Sequence, residues 1–234
     1  MRPSRHTARG GQRPGERAGL PPAWTAAGVI EVLEPLAGTA RIARLERHVS
    51  ERIGSVTLLM DAPNDPHNAG AAVRSCDAFG VAELHVVPRD KPVELGRSVT
   101  SGADRWVEVV LHETPEAAVA ALGSRGFELV ATHPEGELVP EDLARIERVC
   151  LVMGNEHDGI REALRSAASR SVRIPMRGFV ESLNLSVAAA ILLRAATSGR
   201  HGDLDPGERR ELYARGLTRS VPRAEDILAA SAPR

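Results

Sequence analysis

From residue 55 onward, short apolar runs alternate with helical stretches, and that alternation restricts the chain to a narrow set of folds. Residues 55–60 (SVTLLM) are apolar and β-branched, and a helix over about 69–79 follows them. Residues 82–87, 106–111, 128–132, 148–153 and 171–174 read as further strands. Helices are expected at 115–124, near 140–146, at 159–168 and at about 183–198. This pattern predicts an α/β fold, a mostly parallel sheet with helices on both faces. Such sheets build their sites on the loops at the strand ends.

The 234 residues allow one large domain, or one domain with extensions. The formal net charge of -1 excludes a uniformly basic nucleic-acid binder, so any RNA affinity must come from clustered arginines. Aromatics make up only 3% of the chain, which disfavours a base-stacking platform. Cys76 and Cys150 lie far apart and outside any paired spacing, and both read as buried, reduced core residues. The eight histidines form no metal spacing, so no metal is expected. No apolar run approaches a membrane span and no signal core follows the first arginines, which points to a cytoplasmic protein.

Four stretches organise the chain. Residues 1–23 carry five arginines against Glu16 and no apolar periodicity, the composition of a disordered basic tail that could touch phosphates. Residues 24–54 form an N-terminal helical extension. Its stretch 39–53 puts Ile42, Leu45, Val49 and Ile53 on one face and Arg41, Arg44 and Arg47 on the other. The α/β domain covers 55–198, and 199–234 is a C-terminal extension with helical stretches around 207–215 and 224–230.

Three polar, turn-rich segments sit at strand–helix junctions: DPHNAGAAVR (65–74), VMGNEHDG (152–159) and IPMRGFVESLNLS (174–186). The first lacks the glycine fingerprint of dinucleotide sites and the P-loop pattern, which counts against NAD, FAD and nucleoside triphosphates. Within it Asn68 is expected at a helix N-cap. Arg74 either pairs with Asp77 at i,i+3 or offers its planar fork to a phosphate. In the second, Glu156 follows an apolar strand, and Asp158 is the expected N-cap of the next helix. In the third, Ser182 is the expected N-cap and Asn184 falls in the first turn, where free N–H groups suit an anion. Plain helix capping accounts for each segment taken singly; their order makes the set specific.

In that order the segments resemble the SPOUT superfamily, specifically the SpoU branch of RNA ribose 2′-O-methyltransferases. The tRNA guanosine-2′-O-methyltransferase (TrmH) type is the most similar. The likeness runs from about residue 40 to 198, through DPHNAGAAVRSCDAFGV, SGADRWVEVV, MGNEHDGI and IPMRGFVESLNLSVAAAILL. It implies a C-terminal trefoil knot near 130–198, S-adenosylmethionine held by the knot loops, and a homodimer with the active site near its interface. The cofactor loops would include Thr132, Gly154, Ile174, Met176, Ser182 and Leu183. Asn68, Arg74, Glu156, Ser182 and Asn184 fall at the family's substrate and catalytic positions.

The implied reaction is 2′-O-methylation of tRNA, with the D-loop guanosine at tRNA position 18 as target. Ribosomal RNA and a non-catalytic RNA-binding role are the alternatives. A ribose hydroxyl is a weak acid and must lose its proton as it attacks. The family assignment makes Arg74 the base, yet a guanidinium with a pKa above about 12 rarely gives up its proton. Clamping the phosphate and orienting the ribose is the other role open to it. Arg41, Arg44 and Arg47, with Arg74, are the expected RNA contacts.

Overall fold

The computed structural model describes residues 20–21, 23–89, 100, 102–155 and 157–231. The tail expected at 1–23 therefore falls almost wholly outside the described residues, as does Glu156.

Six strands form one sheet: β1 (Val56–Asp61), β2 (Glu83–Val87), β3 (Glu108–Leu111), β4 (Glu128–Thr132), β5 (Val149–Met153) and β6 (Arg170–Val172). Their order is β3-β2-β1-β5-β4-β6 and every pairing is parallel. The central strand β1 is buried along its whole length, as a strand covered on both faces must be. Side chains alternate between the faces. Leu58, Met60 and Leu151 join the core under helices α3 (Pro66–Ala78) and α6 (Leu185–Ala196). Leu59, Cys150 and Val152 join the core under α4 (Pro115–Ser124) and α5 (Glu162–Ala167). Cys76 and Cys150 are free and buried, one on each face. Burial raises both thiols, Cys76 to about 12, so neither supplies a thiolate.

The two extensions pack together. Helices α1 (Ala26–Leu33), α2 (Thr39–Ser50), α7 (Pro206–Ser220) and α8 (Ala224–Ala230) enclose an apolar cluster of Val29, Leu33, Leu45, Leu217 and Leu228. Gly216 belongs to this contact, because a Cβ there would sit 2.8 Å from Leu45. Helix α2 ends at Ser50, three residues before the expected 53. Arg52 is buried, and Ile53 already bridges Val81 in the manner of a strand. Helix α7 runs past the expected 215 to Ser220, started by a capping box between Asp205 and Glu208.

β6 is enclosed on two sides. Val172 pairs with Thr132 of β4, and it also bridges Leu138 in the segment that follows β4. Gly136 lies so close to the backbone of Val172 and Arg173 that a Cβ would come within 2.6 Å of the Arg173 nitrogen.

Candidate active site

The carboxyl ends of β4, β5 and β6 open onto a cavity of about 910 Å³, within the range of small-molecule sites. Thr132, Gly154, Ile174, Met176, Ser182 and Leu183 all line it, so the six expected cofactor-loop residues converge on one space. Leu185, Ala188 and Leu192 of α6 add apolar wall, while His133, Glu181 and Asn184 add polar groups. Thr132 donates from Oγ1 to the Val152 carbonyl at 3.1 Å, tying the tip of β4 to β5.

The loop after β5 is held by its own backbone. Asn155 is buried, and its Oδ1 accepts from the N–H groups of His157 and Asp158 at 2.8 and 2.7 Å. Gly159 has φ +68 and bridges back to Asn155. A Cβ on Gly154 would lie 2.6 Å from the Gly159 carbonyl oxygen, so the loop closes only over glycine. Asp158 does not cap the following helix, contrary to expectation. It pairs with Arg89 at 2.7 Å, and α5 begins at Glu162 with Arg161 in the cap position. Asp61 accounts for the shift: its carboxylate accepts from Arg161 N and Nε at 2.6 Å each, drawing the chain to the end of β1. Sequence reasoning missed this pair. Its signal was an acid closing an otherwise apolar strand run, 1% exposed in the fold.

Two expected caps move by a few residues. Asp65, not Asn68, caps α3: it accepts from His67 N at 2.8 Å, and Pro66 fills the first helical position. Asn184, not Ser182, caps α6: its Oδ1 accepts from Ser186 N at 2.8 Å and Ser186 Oγ at 2.6 Å. Ser182 is exposed and lies before the helix. Asn68, inside α3 and buried, receives the Asn184 side-chain N–H at 3.0 Å. The two asparagines therefore touch each other.

Arg74 stands apart from this cavity. It is exposed, and it lines a second cavity of about 560 Å³ together with Ser75, Asp77, Phe79 and Trp106. Helix α6 lies between the two spaces, with Ala188 and Leu192 on the first and Ala190 on the second. The pairing of Arg74 with Asp77 that the sequence allowed is not made; Asp77 pairs with Arg52. Arg41, Arg44 and Arg47 are all exposed on α2. Among the described residues no cluster of His, Cys, Asp and Glu could hold a metal ion. No helix among them is long and apolar enough to cross a membrane.

This geometry coincides with a known family. Residues 55–194 match the SpoU rRNA Methylase family, so the sheet, α3, most of α6 and all three polar segments fall inside the match. The chain is 35% identical over 161 residues to the tRNA (guanosine(18)-2'-O)-methyltransferase of Escherichia coli, covering 68% of this chain and 70% of that one. It is 34% identical over 167 residues to the enzyme of the same name from Thermus thermophilus, covering 69% and 84%. The 23S rRNA (guanosine-2'-O-)-methyltransferase RlmB of Bordetella pertussis matches at 35% over 181 residues, 76% of this chain and 67% of that one. Among solved structures, the Aquifex aeolicus TrmH/SpoU tRNA modifying enzyme superposes with a TM-score of 0.70 at 28% identity, over 79% of this chain and 98% of that one. The SpoU methyltransferase AviRb of Streptomyces viridochromogenes, in complex with the cofactor AdoMet, gives 0.57 at 28%, over 64% and 60%. The chain belongs to the SpoU methylase family.

Proposed function

We propose that this protein transfers the methyl group of S-adenosylmethionine to a ribose 2′-hydroxyl of tRNA, at the D-loop guanosine in position 18. The observation that carries the reading is the likeness, at 35% identity over more than two thirds of both chains, to an enzyme named for that reaction. The cavity supports the cofactor: Ile174, Met176 and Leu183 offer apolar walls to an adenine, and Thr132, Ser182 and Glu181 offer polar groups to a ribose or an amino-acid end. Bound there, S-adenosylmethionine supplies a methyl group on a sulfonium, an electrophile ready for attack by an oxygen nucleophile.

The chain's own residues supply position and charge. Arg74 clamps the RNA phosphate and turns the 2′-hydroxyl in line, and the proton that the hydroxyl loses as it takes the methyl passes to that phosphate or to solvent. Asn68 and Asn184 hold α3 and α6 in register, which sets the spacing between Arg74 and the cofactor cavity. Glu156 assists Arg74, and Ser182 fixes the loop before α6. Arg41, Arg44 and Arg47 contact tRNA phosphates. The helical extensions at 24–54 and 199–234 act as one tRNA-facing module, supported by their shared apolar cluster.

The working unit is a homodimer in the cytoplasm. Supporting the dimer, Arg74 and the cofactor cavity lie on opposite sides of α6, so a second copy can bring the two together. Val187 and Ile191 of α6, with Phe179 and Val180 before it, leave apolar surface exposed for that contact. The trefoil knot in the C-terminal part of the domain is supported by β6 lying between β4 and Leu138. Ribosomal RNA is the second reading, favoured by the equal identity to the RlmB relative. Mass-spectrometric mapping of 2′-O-methylation in tRNA and rRNA from a deletion strain separates the two. Loss of the methyl at tRNA guanosine 18 is expected; unchanged tRNA with a missing rRNA methyl gives the second reading.

A further inference from the structure

Arg52 is the most buried cation in the described fold, 1% exposed, and it lies just past the end of α2. Each nitrogen of its guanidinium is engaged. Nε and one terminal nitrogen reach His48 Nε2 at 3.2 and 2.8 Å, the other terminal nitrogen donates to the Val81 carbonyl at 3.3 Å, and the carboxylate of Asp77 completes the set. His48 is fitted to accept. Burial and the Arg52 charge hold it at about 4, so its ring is neutral near pH 7 and Nε2 keeps a lone pair. The edge of Trp106 packs on the same ring, with centroids 4.6 Å apart.

Asp77 lies one helical turn beyond Arg74 on α3, the spacing at which an acid and an arginine form a pair. Both line the 560 Å³ cavity, and Asp77 is the sole carboxylate among the described residues that do. The Arg74 guanidinium is exposed and makes no hydrogen bond or ion pair with any described residue, while Asp77 is bound by Arg52. The carboxylate best placed to neutralise Arg74 is thus already occupied from behind, by a cation that cannot itself reach RNA.

We propose that Arg52 is a positioning residue for the methyl-transfer site: by holding Asp77 it keeps Arg74 unpaired and available to the RNA. The inference rests on the reading that Arg74 engages the substrate. Without Arg52, Asp77 turns to Arg74, and the RNA must first displace it. An exposed helical pair of this kind shifts an equilibrium by about two- to fivefold, which sets the size of the effect.

The test uses the full chain and two readouts. In Arg52→Met, KM for tRNA rises about two- to fivefold with kcat little changed, and modification of Arg74 by phenylglyoxal, followed by peptide mass mapping, slows by a similar factor. Adding Asp77→Asn to Arg52→Met returns both to near the parent values, a rescue that a merely structural tie does not give. A double variant as impaired as the single one, or an Arg52→Met variant with parental values, overturns the proposal. If Arg52→Met melts below the assay temperature, Ala78→Glu serves instead. Ala78 is exposed on the same helix at i,i+4 from Arg74, so the glutamate adds an unclaimed carboxylate without touching the core. Slower Arg74 modification in Ala78→Glu but not in Ala78→Gln is expected; equal rates overturn the proposal. Arg74→Ala with unchanged turnover sinks the underlying reading instead, and the phenylglyoxal readout stays interpretable in either case.

Discussion

The side-chain N–H of Asn184 donates to the side-chain oxygen of Asn68 at 3.0 Å, joining the starts of two helices 116 residues apart. The same Asn184 caps its own helix through Oδ1, so one side chain both begins α6 and ties it to α3. Asn184→Ala removes both functions and is expected to cost about 1–2 kcal/mol, from the cap and from the hydrogen bond. Asn184→Asp keeps an acceptor for the cap but loses the N–H given to Asn68. Thermal melting should show a clear drop for the alanine variant and a smaller one for the aspartate. Methylation should fall in both. A fully active aspartate variant would remove the asparagine pair from the mechanism.

Arg74→Ala should lower turnover about a hundredfold or more, the scale of losing a group that orients the reacting atoms. Affinity for S-adenosylmethionine, measured by calorimetry, should stay within about twofold, because Arg74 does not line that cavity. Joint loss of activity and cofactor affinity would mark Arg74 as part of the framework.

Gly154→Ala tests the loop that closes the proposed cofactor cavity. The added methyl would lie 2.6 Å from the Gly159 carbonyl oxygen, backbone that can yield only if the loop shifts. Overpacking of this kind costs about 1–3 kcal/mol. Cofactor affinity should fall at least about tenfold in calorimetry. Parental affinity would show that the cavity wall tolerates the movement.

Replacing Arg41, Arg44 and Arg47 by alanine should weaken tRNA binding at low salt and flatten its salt dependence by roughly one unit of slope per lost phosphate contact. The readout is the slope of log affinity against log salt from filter binding. An unaltered slope would place the RNA elsewhere on the surface.

Acid should destabilise the fold in a defined window. His112 is held at about 4 by burial and by its stacked neighbour His85, whose Nδ1 lies 2.9 Å from His112 Nε2, and His48 is held there by burial and Arg52. Both rings are lowered from an ordinary 6.5. Between about pH 6.5 and 4 the unfolded chain binds these protons and the folded chain does not, so stability is fully present above pH 6.5 and declines as pH falls to 4. Melting temperatures across that range should fall in the parent and fall less steeply in His112→Asn. Identical slopes would assign the acid sensitivity to other groups.

The central strands β1 and β5 were legible in the sequence because each is a short apolar run covered on both faces. The bounds of β4 were also read without error from 128–132. The convergence of the six expected cofactor-loop residues follows from the family resemblance, and the ends of β4, β5 and β6 bring them onto one cavity. The caps were not legible. Asp65 and Asn68, or Ser182 and Asn184, are chemically equivalent acceptors a few residues apart. Pro66 decides the first pair through its fixed φ, and the contact with Asn68 decides the second. Asp61–Arg161 and Arg52–Asp77 were hidden for another reason. Each joins residues far apart in the chain, so no local spacing couples the two partners.

Helix α2 ends where a helical stripe of apolar residues suggested it should continue. Ile53 fits the stripe as well as Val49 does, but it pairs with Val81 beside the sheet. The competing backbone partners, Gly80 and Ala82, come from a turn that only the tertiary fold brings near.

The enclosure of β6 between β4 and Leu138 has a consequence for synthesis. A growing chain exposes the β4 edge and the segment after it well before β6 and α6 leave the ribosome. Until then the cavity lacks one strand and the helix that carries Asn184, so the nascent enzyme can neither grip its cofactor nor join α3 to α6. A chain that stops before residue 185 carries all six strands but lacks α6, and with it the Leu185, Ala188 and Leu192 wall of the cavity.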